Sequence, residues 1–432
     1  MKRRTKLLSL ALALLVALTF AGCTDPGTSS LAGASSQTQS LAVSTADLSS
    51  LPTSSEPLEE PSPYPLHPTQ KEGEVSIQFC GDILLHYQPV KSALLADGSY
   101  DFSPYFSEIS KLLTADLKIV NMEGAVDDSK EPSSYPCFNY PSEIIRDTMG
   151  AGFNFFLTAN NHAFDMRWSG LVATRAAFEA AGAEFDGTYE TQEQCDTPCV
   201  LNYGGIEIGI VTYSYGDNGM IVTIPEEHQP YAMREFNHDS TEDLDRLLED
   251  VRKCREAGAD FVILSLHWGA EYQDAPNATQ RALAQALINT PDGPDIVLGN
   301  HAHAAQPTEL HQVETTNGTA NRLIVYSLGN FIADQSAVQV EKTRTSQMVS
   351  VTIKKTENGV QITDAAYTPL MTYIREDTKT SDRYRVIPVG KYALAQTKPD
   401  IFATNADWEF CKNAWTRLQN VIGDSVPCLT GE

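Results

Sequence analysis

With 432 residues, 42% of them hydrophobic and 20% charged, the chain has ample apolar material for a folded core and length for two or three domains, or for one large domain with extensions. A formal net charge of −25 argues against nucleic-acid binding, which needs clustered Lys and Arg, and against docking on anionic lipid heads. An acidic surface suits divalent cations, or plain solubility.

Residues 1–22 read as an export signal. MKRRTK is a basic start, LLSLALALLVALTF is an apolar run too short to span a bilayer with ease, and small residues precede Cys23. That order resembles a bacterial lipobox, with Phe20 in the place of the usual branched residue. It implies a lipid on Cys23 and a location on the extracytoplasmic face of the cell membrane. The plainer alternative is cleavage near Ala21 with no role for Cys23. Residues 23–72 are rich in Ser, Thr and Pro, as in SSLAGASSQTQSLAVSTADLSSLPTSSEPLEEPSPYPLHP. Such a segment buries too little surface to offset its ordering entropy, so a disordered tether with a solvated His67 is expected.

The folded body is expected over 73–374, with an extension over 375–432 that packs on it through Trp408 and Trp415. EVSIQFCGDILLH opens the body: Val75, Ile77 and Phe79 alternate, then Gly81-Asp82 turns the chain. DLKIVNMEGAV ends in Asn121 and Glu123, and GFNFFLTANNHAFD ends in Asn160, Asn161, His162 and Asp165. A helix follows in SGLVATRAAFEAAG, with Ser169 as cap and Gly182 as stop. YGGIEIGIVTYS reads as a strand pair with a tight turn. STEDLDRLLEDVRKCREAGAD carries a helical stripe of Leu244, Leu247, Leu248, Val251 and Cys254. The strand in ADFVILSLHWGAEY leads to His267 and Glu271, the helix ATQRALAQALINT follows, and PDIVLGNHAH ends in His301 and His303. NRLIVYSLGNFIAD ends in Gly329 and Asn330, and Asn358-Gly359 marks a hairpin. Strands alternating with helices make an α/β fold.

Of the eight cysteines, an odd number remains once Cys23 is set aside, so at least one is a free thiol. Cys195 and Cys199 flank a short loop, and Cys411 and Cys428 are placed to staple the C-terminus. Cys80 fits a small apolar filler in a buried strand. Cys137 and Cys254 show no zinc-ribbon pattern with the others.

Ligands of α/β sheets sit beyond the carboxyl ends of the strands. Asp82, Glu123, Asn161, His162, His267, His301 and His303 all fall at such ends. Singly, each has an ordinary reading: a helix cap for Asp82, a surface ion pair for Glu123, a turn for Asn161-His162, a hydrogen-bonded imidazole for His267. Together they are too many for one tetrahedral ion and suit two divalent ions such as Mn, Zn or Fe. His301 and His303 lie two apart, so an extended segment points both to one side, and Gly299 is read as the turning point. His86, Asp165, Glu271 and Asn330 are candidates for supporting the ligands or meeting substrate. His228, His238 and His311 have no supporting pattern and are expected at the surface.

The ordered series CGDILLH, NMEGAV, ANNHAFD, LHWGAEY, GNHAH and YSLGNF resembles the CapA family of poly-γ-glutamate capsule proteins, within the calcineurin-like metallophosphoesterase superfamily. The likeness spans about Val75 to Ile374. It implies a four-layer α/β/β/α sandwich. It puts Asp82 and His303 on one ion, Asn161, His267 and His301 on the other, and Glu123 between them. Catalysis would rest on His162 and Asp165. Leu84 stands where the superfamily has a histidine, with His86 as a substitute. The resemblance also implies poly-γ-glutamate or another anionic cell-envelope polymer as partner, beside capsule-synthesis membrane proteins. Three functions compete: a metal-dependent hydrolase of phosphoester or γ-glutamyl bonds, a non-catalytic polymer-binding protein on the same scaffold, and a solute-binding lipoprotein. The last lacks a two-lobe hinge pattern.

Overall fold

A computed structural model describes Tyr64 and residues 66–316, 318–335 and 339–432. The export signal, Cys23 and most of the expected tether lie outside the described residues. Among the described residues no helix is long and apolar enough to cross a membrane.

Two sheets dominate. The first runs in the order Leu66–His67, Cys199–Tyr203, Ile206–Ser214, Phe261–His267, Ile296–Asn300, Gly318–Val325, Thr308–Thr315. The second runs Tyr384–Pro388, Gly359–Ile374, Thr345–Thr356, Glu74–Leu84, Leu117–Met122, Phe155–Leu157, Glu184–Asp186, with Asn330–Ala333 also paired to Glu74–Leu84. The central strands of both sheets are parallel, so their carboxyl ends open together.

Period-two side-chain placement builds the layers. Val75, Ile77 and Phe79 face Ile210, Ile263 and Leu298 across the gap between the sheets. Phe261 and Ile263 point into that gap, whereas Val262, Leu264 and Leu266 point outward onto the helices Leu244–Glu256 and Ala278–Asn289. Behind the other sheet, Val120 and Phe156 pack with Ile144, Ile145 and Phe178 of the helices Glu143–Ala151 and Arg167–Ala181. The result is the expected α/β/β/α sandwich. Each of these side chains is sealed from water, and full burial of one stabilises the fold by about 1.5–3 kcal/mol.

Some local expectations differ. The helix at 167–181 does not use Ser169 as a cap; its start is Met166, and the Ser169 hydroxyl instead accepts from Lys130. Gly182 does close it, at φ 68°. The helix from Ala278 gains a reciprocal cap from Asn277 and Gln280. All the described cysteines are free thiols, so neither Cys195–Cys199 nor Cys411–Cys428 is a bridge.

The body also exceeds 73–374 at both ends. Leu66–His67 adds a parallel edge strand to Cys199–Tyr203. His67 is half-buried, stacked on Tyr203 at 4.5 Å and 3.0 Å from Glu184, because the edge of the sheet gives it an aromatic and a carboxylate neighbour. At the other end Tyr384–Pro388 pairs with Gly359–Ile374, and Cys411, Leu418 and Ile422 of the helix Asn405–Ile422 enter the inter-sheet core.

Candidate metal centre

The site grows from the carboxyl ends of the two sheets. In Glu74–Leu84 the register against Leu117–Met122 slips between Cys80 and Asp82. At Gly81 a Cβ would sit 1.8 Å from the Gly329 carbonyl oxygen, which accepts the Asp82 amide at 3.1 Å. Only glycine permits that approach, and the approach sets Asp82. Asn121 Nδ2 donates to Asp82 Oδ1 at 2.8 Å, leaving Oδ2 without a partner.

Glu123 follows the neighbouring strand. Tyr140 donates to its backbone carbonyl at 2.6 Å, while both side-chain oxygens have no hydrogen-bond partner. Asn160 ties the next turn down by donating to the Met122 carbonyl at 2.8 Å and accepting the His162 amide at 3.1 Å. That turn carries Asn161, whose Oδ1 lies 2.8 Å from His267 Nε2. His267 Nε2 is also 3.6 Å from Glu123 Oε1, so the two sheets meet at these side chains.

His301 and His303 follow Ile296–Asn300 with φ of 86° and 53°. They are not in an extended segment; a left-handed turn converges them, at a backbone strain of about 1–3 kcal/mol each. Nor is Gly299 the turning point. It lies inside the strand, where a Cβ would stand 1.9 Å from the Tyr326 carbonyl oxygen. Close approach of the next strand is the reason for glycine there. His303 Nδ1 is 2.9 Å from Asn330 Oδ1 and 3.6 Å from Asp82 Oδ2, and its Nε2 is 3.9 Å from Glu123 Oε1.

Three overlapping sets hold their ligand-type atoms within 4.8 Å of one another: Glu123, His267 and His301; Asp82, Glu123 and His303; Glu271, His301 and His303. Glu271 is exposed, the others buried, and Glu123 is common to two sets. Asp82 Oδ2, both Glu123 oxygens, His267 Nδ1 and His301 Nδ1 have no hydrogen-bond partner. Buried carboxylates in that condition are costly, and a divalent cation on such a mixed nitrogen and oxygen set removes the cost. The residues present therefore fit a divalent-metal site, with Glu123 common to two of the sets.

Charge balance inside the protein supports this. Burial pushes the Glu123 carboxyl up, but His303 and His267 overcome it and hold it at about 2. Burial favours a neutral His303, yet Glu123 and Asp82 raise it to about 9. Glu123 and Asp82 thus favour positive charge at the position of His303. His301 is driven well below the usual imidazole value by burial and by His267 and His303 beside it.

His162 lines the adjoining cavity of about 430 Å³, with His86, Glu271, Tyr272 and His303. Asp165 Oδ2 is 2.8 Å from His162 Nδ1 and accepts the Phe138 amide at 2.6 Å. Burial raises the Asp165 carboxyl against the pull of His162. His86 lines the cavity but joins none of the three sets; its Nδ1 turns back to the Leu84 carbonyl at 3.3 Å. Burial lowers it to about 4.

Other residues of the site carry no local sequence signal. Tyr215 packs its ring 4.4 Å from those of both His238 and His301. His238 is half-buried, accepts the Gly269 amide at 3.0 Å, and so backs the site instead of lying on the surface. His228 is likewise half-buried, stacked on Trp168 at 3.9 Å, and His311 is half-buried beside Glu309 at 3.2 Å.

A family model described as "Bacterial capsule synthesis protein PGA_cap" matches residues 76–335. A relative described as "Capsule biosynthesis protein CapA" of Bacillus anthracis is 29% identical over 225 residues, covering 51% of this chain and 49% of that protein. The chain thus spans about half the length of that relative. The "PGA biosynthesis protein CapA" of Bacillus subtilis strain 168 is 26% identical over 343 residues, covering 75% of this chain and 83% of the relative. Among solved structures, the calcineurin-like phosphoesterase YfkN of Bacillus subtilis aligns with 81% of this chain and 99% of its own at 11% identity and a TM-score of 0.36.

Proposed function

The chain belongs to the PGA_cap family of bacterial capsule synthesis proteins, and from that premise we propose that it is an extracytoplasmic, lipid-anchored metallohydrolase of capsule or poly-γ-glutamate metabolism. The bond it acts on is a phosphoester or a γ-glutamyl amide of an anionic cell-envelope polymer, and capsule-synthesis membrane proteins are its neighbours. The observation that carries this reading is the set of sealed, partnerless carboxylate and imidazole atoms of Asp82, Glu123, His267 and His301 at one end of the sandwich.

When bound, two divalent ions such as Mn, Zn or Fe supply Lewis acidity at the reacting centre. Asp82, Glu123 and His303 would hold one ion, and Glu123, Asn161, His267 and His301 the other. Asn330 and Asn121 orient His303 and Asp82 through their hydrogen bonds. Asp165 fixes the His162 ring through Nδ1, which leaves Nε2 as the nitrogen available to exchange a proton with the leaving group. Phe138 packs edge-on to that ring at 4.7 Å and keeps water from one of its sides.

One feature favours a second reading, a polymer-binding protein without turnover: Leu84 replaces the superfamily's histidine, and His86 faces back onto the Leu84 carbonyl. A hydrolysis screen with phosphoester and γ-glutamyl substrates, run before and after EDTA, separates the two. Chelator-sensitive turnover upholds the hydrolase. Bound metal and polymer affinity without turnover upholds the second reading.

A further inference from the structure

A protein of net charge −25 repels an anionic polymer unless cations gather locally. They do so beside the metal pocket. A cavity of about 500 Å³ is lined by Lys91, Arg344, Lys379 and Arg383 against two carboxylates, Asp334 and Glu376. Asp334 also lines the pocket of His86, His162 and His303, so the two cavities meet at that residue.

Each carboxylate of the basic cavity has one engaged oxygen, while Asp334 Oδ1 has no hydrogen-bond partner among the described residues. Glu376 Oε2 accepts from Arg383 Nη2 at 2.7 Å, and Asp334 Oδ2 accepts from the Tyr384 hydroxyl at 2.5 Å. Arg344 is different. Its Nε donates to the Thr372 carbonyl at 3.2 Å and its guanidinium lies 4.9 Å from the Phe410 ring, but it forms no ion pair with any described residue. It is half-buried, and burial lowers its pKa despite Asp334 and Glu376 nearby. Lys379 and Lys91 are exposed at the same cavity, again without an ion pair among the described residues. A planar guanidinium held by packing, with two lysines beside it, is built to receive an anionic oxygen pair in two parallel hydrogen bonds.

We propose that this cavity is an anion subsite that holds a carboxylate of a polycarboxylate chain while an adjoining segment of the same chain enters the metal pocket. It rests on the reading of that pocket as the place where the polymer reacts, and it adds where a neighbouring carboxylate of the polymer is held. In a γ-linked glutamate chain every residue carries a free carboxylate, so neighbouring residues can occupy both cavities. The subsite also settles how an acidic protein holds an acidic polymer: attraction is local, at Arg344 and Lys379, and not spread over the surface.

The test is titration of a short γ-glutamyl oligomer into the full chain by calorimetry, with metal content measured on the same samples. Arg344→Gln and Lys379→Gln are each expected to raise the oligomer Kd about tenfold without changing bound metal, and Arg344→Lys to recover part of the loss. Lys379 is exposed, so its variant reports even where Arg344→Gln fails to fold. Unchanged affinity in both Gln variants overturns the subsite. So does displacement of the oligomer from EDTA-treated protein by inorganic phosphate at equal concentration, since the basic cavity would then be a phosphate site. Oligomer binding that disappears with EDTA and ignores both substitutions puts all affinity in the metal pocket and also overturns it. Conversely, a metal-free protein whose oligomer affinity still falls on Arg344→Gln upholds the subsite while the metallohydrolase reading fails.

Discussion

Asp82 and Glu123 are sealed from solvent, yet three of their four carboxylate oxygens accept no hydrogen bond. Evolutionary tolerance of such a cost points to a cation, and the two residues make different demands on it. Glu123 sits in two ligand sets and Asp82 in one. Asp82→Asn is therefore expected to leave about one ion per chain and Glu123→Gln to leave none, measured by elemental analysis of purified variants. Two ions retained in Glu123→Gln would show that it does not lie between them. His162→Ala is expected to keep its metal and lose about 10²–10⁴-fold in turnover, since His162 belongs to none of the ligand sets. Asp165→Asn should lose less, because an amide oxygen there can still accept from the Phe138 amide and from His162 Nδ1, and the Phe138 ring still packs on His162. The candidate residues were legible in the sequence because metal-type side chains follow strand after strand. Their convergence was not: it comes from the left-handed backbone at His301 and His303, and the role of Gly299 depends on a tertiary approach to Tyr326. His238 and Tyr215 escaped notice because loop residues carry no period to betray their direction.

The strands and helices that carry these side chains were mostly readable. FVILSLH is apolar at every position but Ser265 and His267, as a parallel strand covered on both faces must be, and the helix Leu244–Glu256 shows its stripe of Leu247, Val251 and Cys254. The order of strands across each sheet was not readable, since pairing such as Asn330–Ala333 with Glu74–Leu84 joins distant segments. That pairing is vulnerable at Gly81. A methyl group there meets the Gly329 carbonyl, so Gly81→Ala is expected to destabilise the protein by about 1–3 kcal/mol and to weaken metal binding through Asp82. Chemical denaturation alongside metal titration checks both, and a variant as stable as the parent would refute the tight approach. Ile263→Ala, in the centre of the inter-sheet layer, is expected to cost about 2–5 kcal/mol with no specific effect on the metal.

Taken as one body, the chain has no separable extension after residue 374. Tyr384–Pro388 and the helix Asn405–Ile422 complete a sheet and a core that begin near Glu74. Deleting residues 375–432 should therefore abolish cooperative unfolding, followed by circular dichroism on heating; a truncated chain that melts like the parent would make the segment a mere appendage. The sequence concealed this because YRVIP is short and ends in proline, and because the partner of that strand lies across a connecting loop. The separation of charge was partly visible, since Lys and Arg gather over residues 355–393, but only the fold brings Lys379 beside Arg344 at one cavity next to the metal pocket. The metallohydrolase reading depends on that pocket holding a pair of ions. The direct measurement is the metal content of the purified protein, by plasma mass spectrometry after dialysis against metal-free buffer and reloading with Mn, Zn or Fe. A dinuclear centre predicts about two ions per chain with a melting temperature that falls on chelation. A chain that takes up none of the three, and melts at the same temperature with and without EDTA, would contradict it.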